Sequence, residues 1–405
     1  MVLKNVLFLL IVLLGDAQCM KLTSATRGGR FVGNYSLGHF RAGSQLANDL
    51  VDTKRDRRLA EHLSRLRAID NASKRTSSAK KIEGLDKYYL YDTSAKTAAA
   101  NLSTWLYEND IPLPLFPNRL EDASIELEKP PKVCISIVSS RRAAAPVSYL
   151  TQTVLSLLAR MDYFKHRDDV YIHVFNVDNN PDSHEDMNII KGIVPITNVK
   201  VPTGDTGNFT DISHVHENLD NAYIMRKMLK LGCQYPIFVE DDAIADEHWF
   251  DLLQIAMDQI SSRQSDWFAI RLFSARPFYP PLFSAGISDY DPTFGSVVVL
   301  VNPRHINDYA QGLESTVWDS LAKHNEKILL PKDIVLGKEA EKHHAPLLSF
   351  EPVIFQHVGL FSSVRQSVVN KEYANFWILF SEYFNSDGKP IVFDEQRWGR
   401  DHIES

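Results

Sequence analysis

The chain has 405 residues, of which 44% are hydrophobic, 10% aromatic and 23% charged, and its formal net charge is −7. That is ordinary globular composition, long enough for one large domain plus accessory segments. No long basic run offsets the acidic balance, which argues against nucleic acid as a main partner.

At the amino terminus Lys4 precedes an apolar run from Val6 to Leu14, followed by Gly15 to Cys19. Residues 1–19 therefore have the layout of a signal peptide, with a short anchor as the alternative, since a membrane helix needs roughly 20 apolar residues. Either directs the chain to the lumen of the secretory pathway, with residence in the Golgi or secretion beyond it. Sequons at Asn34, Asn71, Asn101 and Asn208 suit that destination. Cys134 and Cys233 leave room for one disulfide or two buried thiols.

Residues 20–130 read as a stem or accessory region. Ser44 to Asp70 is charged and helix-compatible, with the basic residues Lys54 to Arg67 on a solvated face, and Ser73 to Lys81 is polar and loose. Tyr88 to Leu120 is weakly amphipathic and ends in the proline-rich Ile111 to Pro117. From there the pattern sharpens. Val133 to Val138 is a β-branched apolar run that predicts a buried strand. Leu150, Val154, Leu157, Leu158 and Met161 follow at helical spacing. A strand from Val170 to Val177 meets the turn Asp178-Asn179-Asn180-Pro181. A helix over about Asn218 to Leu231 leads to a strand from Pro236 to Val239. Asp246 and Glu247 suit the start of a helix over about His248 to Ile260, and strands are expected near Trp267 to Leu272 and Ser296 to Val301.

This alternation implies an α/β fold, a mostly parallel sheet with helices on both faces, with ligands beyond the carboxyl ends of its strands. Those ends carry Ser139 to Arg142, Asp178 to Asn180 and Glu240-Asp241-Asp242. Three adjacent carboxylates repel one another, and burying them unpaired costs several kcal/mol each on an order-of-magnitude scale. A divalent cation relieves the repulsion, and oxygen ligands with phosphate partners suit Mn²⁺ or Mg²⁺. No GxGxxG follows the first strand, and no P-loop, GxSxG or HExxH occurs. His343-His344 reads as a surface pair whose rings point apart. His357, in Phe355-Gln356-His357-Val358-Gly359, sits where an imidazole could reach a metal.

The triplet after Tyr-Pro-Ile-Phe-Val, the segment from Phe355 through Ser362-Ser363 and the helix Tyr149 to Leu158 occur in this order. Together they resemble the N-acetylglucosaminyltransferase IV family and its relatives that add N-acetylgalactosamine to glycosylphosphatidylinositol (GPI) anchors. The resemblance covers the catalytic domain, residues 131–365, outside the stem and a tail, residues 366–405, expected to pack on that domain. It implies a GT-A-like fold, a twisted sheet plus a helical amino-terminal stem. It also implies inverting transfer of a hexosamine from a UDP-sugar to a glycan or GPI-glycan acceptor, with Mn²⁺. Asp242 would be the main metal ligand and His357 would complete the metal shell. Glu240 and Asp241 would face ribose and diphosphate, and Ser139, Arg141 and Arg142 the nucleotide, where paired arginine hydrogen bonds suit a diphosphate. Asp178 would bind uridine or cap a turn. Asp333 would be the catalytic base or an N-cap, with Glu314 and Asp319 in reserve.

Two departures bear on the acceptor. The GPI-directed enzymes carry a pair of membrane helices where this chain has the short loop Arg276 to Pro292, whose Phe278, Tyr279, Phe283 and Tyr290 could stack on sugars. The tail is too short for the lectin domain often found in the other branch. Rival readings are a secreted binding protein that kept the fold without turnover, and a metal-dependent phosphoesterase.

Overall fold

The computed structural model describes residues 38–79, 86–120, 130–142, 145–203, 212–263, 265–273, 286–289, 296–325, 328–359, 361–362, 367–368, 384, 386 and 388–398. The amino-terminal apolar run, Asn34, Asn208, Ser363 and the aromatics of the Arg276 to Pro292 loop lie outside them. The chain divides into Met1–Arg57, helical where described, and a compact unit Arg58–Ser405.

Two long helices come first, α1 (Gly38–Ser78) and α2 (Asp86–Glu108). The stretch expected to be loose after Ser73 continues α1, because Ile69, Ala72 and Thr76 share a buried helical face. Nor is the basic segment uniformly solvated. Arg65 is buried with its Nε donating to Ser103 Oγ at 3.1 Å. Arg58 pairs with Asp110 at 2.6 Å.

Then follow β1 (Val133–Ser139), α3 (Tyr149–Ala159), α4 (Tyr163–His166), β2 (Val170–Asn176), α5 (Glu185–Ile190), β3 (Ile196–Asn198), α6 (Ile212–Leu229), β4 (Tyr235–Glu240), β5 (Ala243–Ala245) and α7 (Trp249–Ser261). The rest of the chain supplies β6 (Ala269–Arg271), β7 (Gly286–Asp289), β8 (Val298–Val301), α8 (Ile306–Ala322), α9 (Lys332–Lys342), β9 (Leu347–Glu351), β10 (Phe355–His357), β11 (Phe361–Ser362) and β12 (Ser367–Val368).

Among the described residues, eight strands form one sheet in the order β3-β2-β1-β4-β8-β6-β9-β7. β3, β2, β1 and β4 are mutually parallel, as are β6 and β9, while β8 runs antiparallel to both β4 and β6. This is the expected α/β class with a mostly parallel sheet. β1 and β2 are apolar and almost wholly buried because strands flank them on both edges and helices cover them. The disulfide outcome is settled: Cys134 on β1 bonds Cys233 just before β4, their Cα atoms 5.9 Å apart.

The helices α1 (from Arg58) and α2 share the core with the sheet: Tyr91, Leu102, Trp105 and Leu106 are buried in the same cluster as Ile135, Val154 and Ile237. The described part of the tail joins it through Phe384, Ile391, Phe393 and Trp398. Trp398 stacks on Tyr163 with ring centroids 4.9 Å apart, and its Nε1 donates to Leu158 O at 3.1 Å. Among the described residues no helix is long and apolar enough to cross a membrane.

Candidate functional site

Parallel strands β1 and β4 are adjacent and in register, Val138 opposite Glu240, so the residues just past their carboxyl ends converge. Past β4 the chain turns immediately into β5, which pairs antiparallel with β10 and sets His357 opposite Ala243. That short ribbon carries the imidazole back over the acidic triplet from 115 residues away. The turn is pinned from both sides. Thr153 Oγ1 on α3 donates to Asp241 O at 2.6 Å, and Val358 N donates to Asp242 O at 2.8 Å. All eleven residues of α3 are buried, which fixes the position of Thr153.

The carboxylates are held by cations of the chain itself. Arg142 forks across two of them, Nη2 donating to Asp241 Oδ1 at 2.5 Å and Nη1 to Asp242 Oδ2 at 2.6 Å. Its guanidinium lies over the Tyr149 ring, 4.8 Å from the centroid. Ser139 Oγ donates to the other oxygen of Asp241 at 2.6 Å and meets His184 Nε2 at 2.8 Å. His357 Nε2 stands 3.1 Å from Asp242 Oδ2. Lys332, the first residue of α9, reaches Glu240 at 2.5 Å and Glu217 at 3.2 Å. Sequence reasoning looked to a divalent ion to let the three acids coexist. The structure shows that Arg142, Lys332 and His357 already neutralise much of that charge.

The electrostatics follow from this packing. Burial alone would raise the Asp242 pKa, but Arg142 and His357 outweigh it and hold the carboxyl well below the usual range. Asp241 goes the other way, because its burial exceeds what Arg142 returns. Burial opposes the charged form of Lys332, yet Glu240 and Glu217 hold it protonated and raise its pKa. His357 is likewise raised by Asp242 against its own burial.

One oxygen stands apart. Asp242 Oδ1 is buried with no hydrogen-bond partner. Donor atoms of Glu240, Asp242 and His357 all lie within 4.8 Å of one another, a carboxylate-imidazole set that can hold a divalent cation. Gly359 keeps that place open, since a Cβ there would stand 1.9 Å from Asp242 Oδ2 and 2.7 Å from His357 Nε2.

A small cleft adjoins the cluster, lined by Arg75 of α1 together with Ser140, Arg141, Arg142, Tyr149, His184 and Asp241. Arg141 is fixed through its backbone N, which donates to Asp178 Oδ2 at 3.0 Å. Asp178 also accepts from Asn180 N at 2.7 Å, so its carboxylate caps the turn after β2. Asp333 lies in the first turn of α9, where Pro331 is the N-cap, and its Oδ1 accepts from Ile334 N at 2.9 Å. Glu314 is forked with Arg226 of α6, and Asp319 is an exposed partner of Lys323. His248 is the N-cap of α7, and Asp246 Oδ1 accepts from its backbone N at 2.8 Å. Asp246 is fully buried and accepts from Ser386 Oγ at 3.0 Å.

Ser139, Arg142, Glu240, Asp241, Asp242 and His357 are thus brought together. His184, Glu217, Lys332 and Tyr149 complete the set without having been singled out. Lys332 had a signal, a cation beside a candidate base at a helix start; His184 had none.

Residues 133–280 match the family profile described as GPI-N-acetylgalactosamine transferase PGAP4. Comparison with curated proteins found no match. Among solved structures, the galactosyltransferase LgtC in complex with donor and acceptor sugar analogs is similar at 15% identity and TM-score 0.28, over 51% of this chain and 69% of that one. A putative nucleotide-diphospho-sugar transferase from Desulfovibrio desulfuricans G20 is similar at 11% identity and TM-score 0.29, over 54% and 79%. S. aureus TarS 1-349 is similar at 11% identity and TM-score 0.30, over 55% and 59%. The profile match spans β1, the helix Tyr149 to Leu158 and the acidic triplet, in line with the resemblance read from the sequence, and the segment Phe355 to Ser363 lies outside it.

Proposed function

We propose that the chain is an inverting glycosyltransferase that moves a hexosamine, N-acetylglucosamine or N-acetylgalactosamine, from a UDP-sugar to a glycan or GPI-glycan acceptor. The observation that carries this reading is the buried Asp242 carboxylate, gripped through Oδ2 by Arg142 and His357 while Oδ1 has no hydrogen-bond partner. Mn²⁺ or Mg²⁺ fits there on Asp242, Glu240 and His357, and when bound would stabilise negative charge on the departing diphosphate.

The residues of the chain divide the remaining work. Arg141 and Arg142 line the cleft and suit the diphosphate oxygens. Ser139 and His184 orient Asp241, which with Glu240 faces ribose and diphosphate. Asp178 sets the Arg141 backbone beside the nucleotide. Asp333 takes the proton from the acceptor hydroxyl as that oxygen attacks the anomeric carbon and the bond to diphosphate breaks. Lys332 supports this assignment by anchoring the start of its helix on Glu240. The Cys134–Cys233 disulfide suits an oxidising compartment and supports a place in the secretory lumen, in the Golgi or after secretion.

Calorimetric titration of UDP with and without Mn²⁺ tests the reading. Binding should require Mn²⁺, and Asp242→Asn should lose it while circular dichroism stays native. Metal-independent binding, or none, overturns it.

A further inference from the structure

A second constellation of donors lies away from the acidic triplet. α9 starts at Lys332, which touches Glu240, and spans 11 residues, so its far end is about 16 Å from that contact at 1.5 Å rise per residue. At that far end His343, the C-cap of α9, meets His305 and Asp308 at the start of α8. His305 Nδ1 is 3.3 Å from Asp308 Oδ2, and His343 Nε2 is 3.8 Å from the same oxygen. All three donor atoms lie within 4.8 Å of one another. Bonds of about 2.0–2.1 Å at tetrahedral angles place ligand atoms roughly 3.3 Å apart, so Asp308 is within about 0.5 Å of that spacing from each imidazole, and the two ring nitrogens, within 4.8 Å of each other, have at most about 1.5 Å to close.

Two further observations point to a ligand there. His343 Nε2 is buried and has no hydrogen-bond partner, with its nearest carboxylate oxygens at 3.6 and 3.8 Å. On the other side, His305 Nε2 is 3.0 Å from Asp266 Oδ2, and its ring is stacked on Phe268 with centroids 4.9 Å apart. A carboxylate that takes one imidazole N–H while the other nitrogen faces the shared centre is the arrangement that orients a metal-binding histidine. Sequence reasoning set His343 aside as a surface residue; it is half-buried and faces this cluster, while the ring of His305 comes from another helix entirely.

We propose that His305, Asp308 and His343 form a zinc-type divalent metal site that clamps the start of α8 to the end of α9. Two imidazoles and one carboxylate select a borderline metal over Mg²⁺ or Ca²⁺. The site stands apart from the sugar-transfer reading, so either can fail alone.

The test uses the full chain carrying Asp242→Asn, which removes the first metal position, stripped with a chelator and titrated with Zn²⁺. One equivalent should bind and raise Tm. Adding His343→Ala, at a half-exposed helix end where folding is retained, should abolish the Tm response and weaken binding more than tenfold. Asp266→Asn should weaken it by about 10–100-fold. Co²⁺ in place of Zn²⁺ should give a tetrahedral ligand-field band that His343→Ala lacks. Absent binding, or Zn²⁺ affinity and Co²⁺ spectra unchanged by His343→Ala, overturns the proposal.

Discussion

Replacing Arg142 by methionine separates what the protein's own cation does from what a metal would do. The guanidinium is buried between Asp241 and Asp242 and makes charge-assisted bonds to each at 2.5 and 2.6 Å. Removing one partner of a buried ion pair costs about 3–5 kcal/mol, because the remaining charge is left uncompensated. The compact unit of roughly 350 residues unfolds with an entropy near 0.7 kcal/mol/K, so the cost corresponds to a Tm about 4–7 °C lower. His357 remains beside Asp242, which places the expectation at the lower end. Mn²⁺ should then restore stability in the variant, by about 4 kcal/mol at a thousandfold excess over Kd. The same ion should stabilise the wild type less, since there the guanidinium already offsets the charge of Asp241 and Asp242. Differential scanning fluorimetry across a Mn²⁺ series reads both. A variant as stable as wild type, or one indifferent to Mn²⁺, would refute the electrostatic reasoning.

Gly359→Ala puts a methyl 1.9 Å from Asp242 Oδ2, so the carboxylate must move by more than 1 Å; overpacking of this kind costs about 1–3 kcal/mol, and Mn²⁺-dependent UDP binding should vanish in calorimetry. Paired Cys134→Ala and Cys233→Ala substitutions open a loop of sequence separation 99, and chemical denaturation should show a loss of up to about 4–5 kcal/mol. Burial pushes the Asp220 carboxyl up to about 7, so the folded chain holds a proton there that the unfolded chain has already lost. Its contribution to stability therefore falls as pH rises from about 4 to 7. In Asp220→Asn that part of the pH-stability profile should flatten, with a gain of about 1–3 kcal/mol at neutral pH; an unchanged profile refutes the assignment.

The sheet and half the site were legible because they rest on local signals. β1 and β4 are β-branched apolar runs, and an acidic triplet after a buried strand has few structural roles. Arg142 and Ser139 could be placed because parallel strands share one functional end. Contacts across 92 and 45 residues, Lys332 to Glu240 and Ser139 to His184, leave no periodic trace. Asp246 looked like a helix cap because Asp before an apolar run usually is one, and only the tail's Ser386 reveals its buried role. The polar stretch after Ser73 hid a helix whose buried face is small, Ala72 and Thr76, and whose partners come from elsewhere in the chain.

Those partners give the amino-terminal helices a structural role. Thr76 Oγ1 donates to Pro146 O, and Asp92 accepts from Ser148 N at 2.7 Å while its other oxygen receives Lys96 at 2.5 Å. The loop from β1 to α3, which bears Arg141 and Arg142 of the cleft, is thereby buttressed by residues that precede the sheet in the chain. A fragment cut at Pro130 would keep every donor of the acidic cluster yet lose the wall behind Arg142. It would also expose Leu150, Val154 and their apolar neighbours on α3 to water. Arg75, near the end of α1, is part of the wall of the cleft beside the acidic triplet, and shortening the protein from that side dismantles the cleft before it touches the acids.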